Sequence, residues 1–218
     1  MEIKYIGEQL FWGYIGNGFI FTAFISALYA AILYLTSVRN EEKAKWATPL
    51  ARKFLYLHSI ACFGIFFLLL YLIFNHRFEY YYVWQHSNMA MPMYYILACI
   101  WEGQEGSFLL WMLWHSLIAL FVSRRNRHWE SPVVGIIMLV QVFLGSMLLG
   151  VYVFGYKLGS NPFTLLRDNE QFANLPFIKM PDYLSRIADG RGLNPLLQNY
   201  WMVIHPPTLF LGFASTVV

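Results

Sequence analysis

The sequence predicts an all-α, multi-span helical membrane protein with four complete transmembrane helices and the start of a fifth. Three observations carry that reading. Of 218 residues, 58% are apolar and 12% charged, against about 25% charged in an ordinary soluble domain. Apolar runs long enough to cross a bilayer recur along the chain. Aromatic residues make up 19%, and one cluster lies between two such runs, as suits a membrane interface. The net charge of +3 matters less than where the cations lie.

The first span is read at about 11–35. Gly13, Gly16 and Gly18 lie near its start, where small residues let helices approach closely. It is long, lacks a basic n-region and ends without a small-residue cleavage site, so it is no signal peptide. The following loop carries Arg39, Lys43, Lys45, Arg52 and Lys53, and the second span is read at about 54–74. An external segment, 76–107, has Arg77 as its only Lys/Arg and contains Tyr80, Tyr81, Tyr82 and Trp84.

The third span is read at about 108–122. It is short, and a start at Tyr94 or Tyr95 would embed the acidic turn that precedes it. Arg124, Arg125 and Arg127 follow at once. The fourth span is read at about 133–154. The second external segment, 155–205, contains Pro162, Pro176, Pro181 and Pro195, and polar loops of that length usually carry function. The run 206–218 is too short to cross the hydrocarbon core. The chain is therefore expected to be the amino-terminal part of a longer membrane domain. No fixed-period repeat or low-complexity tract is present.

The short loops after spans one and three hold the concentrated cations. By the positive-inside rule those loops face the cytoplasm. The amino terminus and both external segments then face the periplasm of a bacterial inner membrane. That topology brings two stretches to one face: Trp101-Glu102-Gly103-Gln104-Glu105-Gly106-Ser107 with Leu109-Leu110-Trp111, and Gly190 to Gln198 leading into His205-Pro206-Pro207.

His205 is the first candidate for chemistry. A residue before proline is pushed toward extended geometry, and proline suits the first turn of a helix. The sequence thus predicts a histidine held just before the fifth span, able to present an imidazole nitrogen to iron. The plainer alternative is a helix cap or a headgroup contact. Glu102 and Glu105 are neighbours if their segment is helical. They suit a haem- or partner-contacting mouth, an ion site, or a polar staple between helices. His115 lies mid-span beside Trp111, Trp114 and Ser116; an intramembrane histidine is a functional hypothesis, with a structural hydrogen bond as its rival. His58 and His128 are assigned no chemistry. His86 with Met89, Met91 and Met93 suggests a soft metal on paper, although methionine more often fills irregular apolar gaps. Cys62 and Cys99 do not form CxxC, and a bridge between them is not expected. Nucleotide-binding glycine loops, HExxH, a serine nucleophile elbow and metal-type cysteine spacing are absent from the sequence.

At these residues the chain resembles the CcmF family, the haem lyase subunits of cytochrome c maturation. Gly13-Tyr14-Ile15-Gly16-Asn17-Gly18 resembles the family's amino terminus, and Tyr82 to Asn88 with Pro92 and Tyr94 resembles the lead-in to its second block. Trp101 to Trp111 is similar to W-G-x-x-E-G-S-L-L-L-W. Asn161-Pro162-Phe163, Gly190 to Gln198 and His205-Pro206-Pro207 resemble the second external segment. The resemblance implies haem transport: haem is taken from a periplasmic haem carrier protein and joined to apocytochrome c. Other maturation subunits and membrane lipid are implied as partners; nucleic acid is not. It further implies His205 as an axial ligand candidate for a transient b-type haem at the external site, with Trp101, Glu105 and Trp111 as its surroundings. Glu102 departs from the usual glycine. The tryptophan-rich haem segment, the partner histidine and the permanent haem site are expected beyond position 218, so this part alone is expected to be inactive. A rival reading from another class is a haem-free membrane scaffold or an ion/proton-transport subunit using Glu102, Glu105 and His115.

Overall fold

The computed structural model describes residues 4–218. Its helices are α1 (Leu10–Arg39), α2 (Glu41–Phe74), α3 (Tyr81–His86), α4 (Met93–Ala98), α5 (Gln104–Arg125), α6 (Glu130–Leu149) and α7 (Tyr200–Ser215). An antiparallel hairpin, β1 (Val151–Val153) and β2 (Tyr156–Leu158), follows α6. Helices α1, α2, α5 and α6 are long and apolar enough to cross a membrane, which bears out the four-span, all-α expectation.

The helices outrun the apolar stretches because capping, not hydropathy, ends them. Only Asn40 separates α1 from α2. Its side chain accepts the Lys43 N–H at 3.0 Å, and Glu41 and Glu42 occupy the positive first turn of α2. Lys43, Lys45, Arg52 and Lys53 therefore lie on α2, not in a loop as the sequence suggested. At the other end of the bundle, Gly150 takes a left-handed conformation, φ 65°, and terminates α6. Residues 151–154, expected inside the fourth span, enter the hairpin instead.

Helix α1 packs on α2 and α6, while α5 packs on α2, α6 and α7. Ala23, Ala27, Ala30 and Ala31 are buried on α1 and let its neighbours approach closely. The four spans alternate in direction, so the connections at 40 and 126–129 share one end of the bundle. The segments 75–103 and 150–199 share the other.

Buried polar groups fix the helix register. His58 Nδ1 lies 2.8 Å from the Ala23 carbonyl, which only accepts, so this nitrogen donates. Its Nε2 is then left to accept from the Cys62 thiol at 3.3 Å. Gln141 Nε2 donates to the Met112 carbonyl at 2.8 Å and to Ser116 Oγ at 3.2 Å, joining α6 to α5. Such groups hold helices together because hydrocarbon offers them no other partner. Cys62 and Cys99 are both free and buried.

At the end holding the short connections, Arg52 grips Glu130 through both carboxylate oxygens, at 2.5 and 2.6 Å, and Tyr34 donates to the same carboxylate at 3.1 Å. Glu130 is 1% exposed. Glu130→Gln keeps the shape but removes the charge and leaves Arg52 unpaired. An expected loss of about 2 kcal/mol follows from breaking a charged hydrogen bond, with Arg52 rehydrating in part. Thermal denaturation of the purified protein in detergent checks this; an unchanged midpoint would contradict it.

The opposite end carries a cap of non-spanning segments. The Tyr80 hydroxyl donates to the Gln9 carbonyl and accepts the Gly13 N–H, both at 2.7 Å, supplying a partner to the open first turn of α1. Burial pushes the Tyr80 phenol up to about 12, so it remains a neutral donor. Glu8, in the segment leading to α1, accepts from Arg167 Nε at 2.8 Å and from the Tyr183 hydroxyl at 2.7 Å. Asn161 donates to Asn17 at 2.7 Å, and Phe163 occupies the space above Gly16 that a side chain there would need. The opening glycine motif and Asn161-Pro162-Phe163 are thus one packing unit.

Candidate functional site

The site forms where α5 begins and α7 leans on it. Residues Cys99–Trp101 make a 3-10 turn, and Gly103 then caps α5 in extended conformation. Tyr82, 2% exposed, organises the turn. Its hydroxyl donates to the Ile100 carbonyl at 2.8 Å, lies 3.1 Å from the Cys99 carbonyl, and faces the Gly103 N–H at 3.3 Å. Burial, and then the nearby Glu105 carboxylate, push this phenol well above its ordinary range, so it does not ionise. Gly106 lies directly against the Ile100 carbonyl and the Tyr82 hydroxyl. Ser107 Oγ closes the turn on the Trp101 carbonyl at 3.0 Å.

Glu105 is buried in the first turn of α5, where a carboxylate complements the helix dipole. Glu102 points elsewhere. Its Oε2 comes within 3.0 Å of His86 Nδ1, an electrostatic approach without the alignment of a hydrogen bond. His86 also packs on the Tyr82 ring, centroids 4.4 Å apart. The two carboxylates, grouped in sequence, serve different neighbours.

Helix α7 starts at Tyr200 because Asn199 caps it, its side chain accepting the Met202 N–H at 3.2 Å. This corrects the expectation for His205. The histidine lies inside α7 rather than ahead of it, and Pro206 and Pro207 are interior to the helix. Each proline lacks the N–H that would meet a carbonyl four residues back, which frees those of Met202 and Val203. Trp101 Nε1 takes the Met202 carbonyl at 2.9 Å, and Trp114 Nε1 donates to the Pro207 carbonyl at 3.0 Å. Trp111 packs on Phe210 and Phe213, with centroids 5.9 and 5.5 Å away. Three tryptophans thereby clamp α7 to the α4–α5 unit. His205 is exposed, on the face of α7 that also shows Trp201 and Leu209.

The Gly190–Gln198 stretch docks on the 84–89 segment, beside the acidic turn. Arg191 N–H donates to the Trp84 carbonyl at 2.7 Å. Asp189 accepts the Met89 N–H at 2.9 Å. Gly190 and Gly192 sit against the Ser87 carbonyl and the Asn88 side chain, leaving no room for a Cβ. Between them opens a cleft of about 410 Å³, lined by His86, Glu102, Arg191, Leu193, Asn194 and Leu197, among others. Of the sequence candidates, His86 and Glu102 line this cleft, whereas Trp101, Glu105, Trp111 and His205 do not.

Other sequence candidates are dispersed. Met91 is buried and receives the Cys99 thiol at 3.3 Å, while Met89 and Met93 are exposed. No group of three His, Cys, Asp or Glu side chains suited to a metal occurs among the described residues. His115 is buried, with its ring tilted toward Trp111 at 6.0 Å. The roles of Tyr80, Tyr82 and His58 were missed. The only signals were a phenol's need for a partner when buried and the one-turn spacing of His58 and Cys62.

The fold and this mouth define a multi-span membrane protein in which tryptophans at and beyond an acidic helix entry clamp a histidine-bearing helix. Residues 101–218 match the family model described as cytochrome C assembly protein, and the chain belongs to that family. CcmF of Escherichia coli strain K12, a cytochrome c-type biogenesis protein, is 30% identical over 205 residues, covering 92% of this chain and 28% of that protein. CcmF of Pseudomonas fluorescens is 34% identical over 140 residues, or 62% of this chain and 17% of the relative. The solved cytochrome c haem lyase CcmF superposes with a TM-score of 0.65 at 22% identity, over the whole chain and 30% of that structure; this likeness speaks to the fold. The resemblance drawn from the motifs is borne out. The chain spans less than a third of the length of these relatives.

Proposed function

We propose that the whole protein handles haem in cytochrome c maturation, receiving it from a carrier and presenting it for covalent attachment to apocytochrome c. The described part supplies one axial-ligand position, His205. The observation that carries this reading is the clamp: Trp101 and Trp114 bond the backbone of the proline-bearing helix and so fix the helix that displays His205. An exposed imidazole between Trp201 and Leu209, one turn either side, suits a flat apolar macrocycle with a central iron. Haem supplies the vinyl groups of the attachment. His205 holds one face of the iron, α7 orients that ligand, and Tyr82 keeps the turn that positions Trp101. The second ligand is assigned to another part of the full protein or to the carrier.

The relay reading finds no path here. Glu105 and His115 are ten residues apart on one helix, about 15 Å along its axis, and Glu102 is engaged with His86.

A strain lacking the gene should lose haem-staining c-type cytochromes and recover them with the full-length protein; normal staining without it would sink the proposal. In that strain, Glu105→Ala should lower cytochrome yield several-fold at unchanged protein level, because the buried first-turn carboxylate supports the α5 entry. Glu102→Ala should be milder, since it costs one approach to His86. The reverse order would overturn the assignment of this turn.

The proposed location is the bacterial inner membrane, with the cap and His205 in the periplasm. A thiol placed by Arg186→Cys, in the cap, should react with an impermeant reagent in intact cells, and one placed by Lys45→Cys should not. Labelling at position 45 would reverse the topology.

A further inference from the structure

The hairpin after α6 is two-faced. Its register pairs Val151 with Leu158 and Tyr152 with Lys157, and side chains on paired or alternate positions share a face. Tyr152 and Lys157 form the polar face. The Tyr152 hydroxyl donates to Glu170 at 2.7 Å and Lys157 Nζ reaches the same carboxylate at 3.5 Å, which ties that face to the cap. Those two groups, the tyrosine hydroxyl first, hold the Glu170 carboxyl below its usual range, so the tie persists at neutral pH. The opposite face carries Val151, Tyr156 and Leu158, all exposed. At the tip, Phe154 is 98% exposed. Phe154 and Gly155 both have positive φ, 50° and 84°, the conformation of a tight two-residue hairpin turn. A bulky side chain is uncommon there, where asparagine or glycine would fit more easily.

The position of the hairpin says what this face meets. It leaves α6 at Gly150, the residue that ends a spanning helix. It returns to the same place: the Ser160 N–H bonds the Met147 carbonyl at 2.9 Å, and Gly159 lies against that carbonyl with no room for a Cβ. The base is therefore rooted in the last turn of α6, at the level where the span leaves the hydrocarbon. Exposed Ile136, Leu139 and Phe143 mark the outward side of the same helix. Aromatic side chains at that level partition into the headgroup region.

We propose that the Val151–Leu158 hairpin is a membrane-interface anchor. Val151, Phe154, Tyr156 and Leu158 sit in the headgroup–acyl boundary of the leaflet beside the mouth of α6, while Tyr152 and Lys157 hold the cap through Glu170. The anchor ties the height of the cap, and with it the cleft at the α5 mouth, to the membrane surface. This inference rests on the membrane fold and is independent of haem.

The test uses the full-length protein in phosphatidylethanolamine/phosphatidylglycerol vesicles, with an environment-sensitive fluorophore on Phe154→Cys. Cys62 and Cys99 are buried, and any reactive cysteine outside residues 1–218 is replaced by serine, so the label reports position 154. Arg186→Cys, half-exposed in the cap, serves as the aqueous control. The expected result is blue-shifted emission at 154, several-fold weaker quenching by iodide than at 186, and strong quenching by lipids with a nitroxide near the headgroup. Iodide quenching equal to that at 186 overturns the proposal. Protection from iodide without quenching by nitroxide lipid also overturns it, because the face is then covered by protein, either a partner or a second copy.

Discussion

His205→Ala in the full-length protein is expected to abolish covalent haem attachment while leaving the amount of membrane-inserted protein unchanged. The second half follows from the structure. The ring is exposed, and the contact the residue makes is through its backbone, whose carbonyl accepts from Thr208 Oγ1 at 2.8 Å. Alanine keeps that carbonyl and is the best helix former, so α7 and its tryptophan clamp persist. The first half follows from ligand chemistry. Removing only the supporting partner of a metal ligand typically costs about 10- to 100-fold, so losing the ligand should cost at least about tenfold in cytochrome yield. His205→Gly with added imidazole should recover part of the activity, because free imidazole can occupy the vacated position. Glycine also weakens the helix by about 1 kcal/mol, so rescue is read against His205→Gly alone. An active His205→Ala protein, or a haem absorption spectrum that is the same with and without His205, would remove this residue from the site.

The fold was legible where hydropathy decides it and less so where single side chains do. Four apolar runs gave four spans, since a bilayer leaves a long apolar helix few alternatives. The ends were harder. The fifth helix was expected to start at the prolines because a residue before proline avoids the helical region. The Asn199 cap and the tryptophan bond to the freed Met202 carbonyl outweigh that local preference. The stretch after α6 read as membrane because Val151, Tyr152, Val153 and Phe154 are apolar; the deciding residue was Gly150, whose left-handed conformation ends the helix. Likewise Asn40, followed by two glutamates, was a cap within a supposed loop.

At the candidate site, the structure places the two stretches at one end of the bundle but parts residues that the sequence grouped. Glu102 and Glu105 were grouped by spacing, yet the turn at Gly103 sends one to His86 and buries the other. Trp101 and Trp111 were expected as haem surroundings; they hold α7, which bears the ligand candidate. Tyr80 and Tyr82 read as interface aromatics, but each is a hydroxyl hub that joins segments distant in sequence. Which of several neighbouring tyrosines turns inward depends on the backbone around it, and the composition of the cluster carries no such information.

Gly106→Ala is expected to be the most disruptive single substitution at the α5 entry. A Cβ at position 106 would stand 2.6 Å from the Ile100 carbonyl carbon and closer still to the Ile100 oxygen and the Tyr82 hydroxyl. The obstacle is backbone in a 3-10 turn, so no rotamer change relieves it, and the turn cannot withdraw without breaking the Tyr82 hydrogen bond at 2.8 Å. Overpacking of this kind costs about 3 kcal/mol, and the lost hydrogen bond adds about 1 kcal/mol. Alanine returns about 1 kcal/mol as the better helix former, so the clash wins by about 3 kcal/mol. Gly18→Ala supplies the opposite sign. It also lies in a spanning helix, but a Cβ there meets nothing within 4 Å, so only the propensity gain remains. Thermal denaturation of the two variants in the same detergent should move the midpoint down for Gly106→Ala and leave it level or slightly raised for Gly18→Ala. Surviving Gly106→Ala protein should also show reduced cytochrome maturation, because Trp101 is carried on the displaced turn and its bond to Met202 positions α7. Equal stability of the two variants would mean that the turn at 99–103 yields easily, and the route from Tyr82 through Trp101 to His205 would then be wrong.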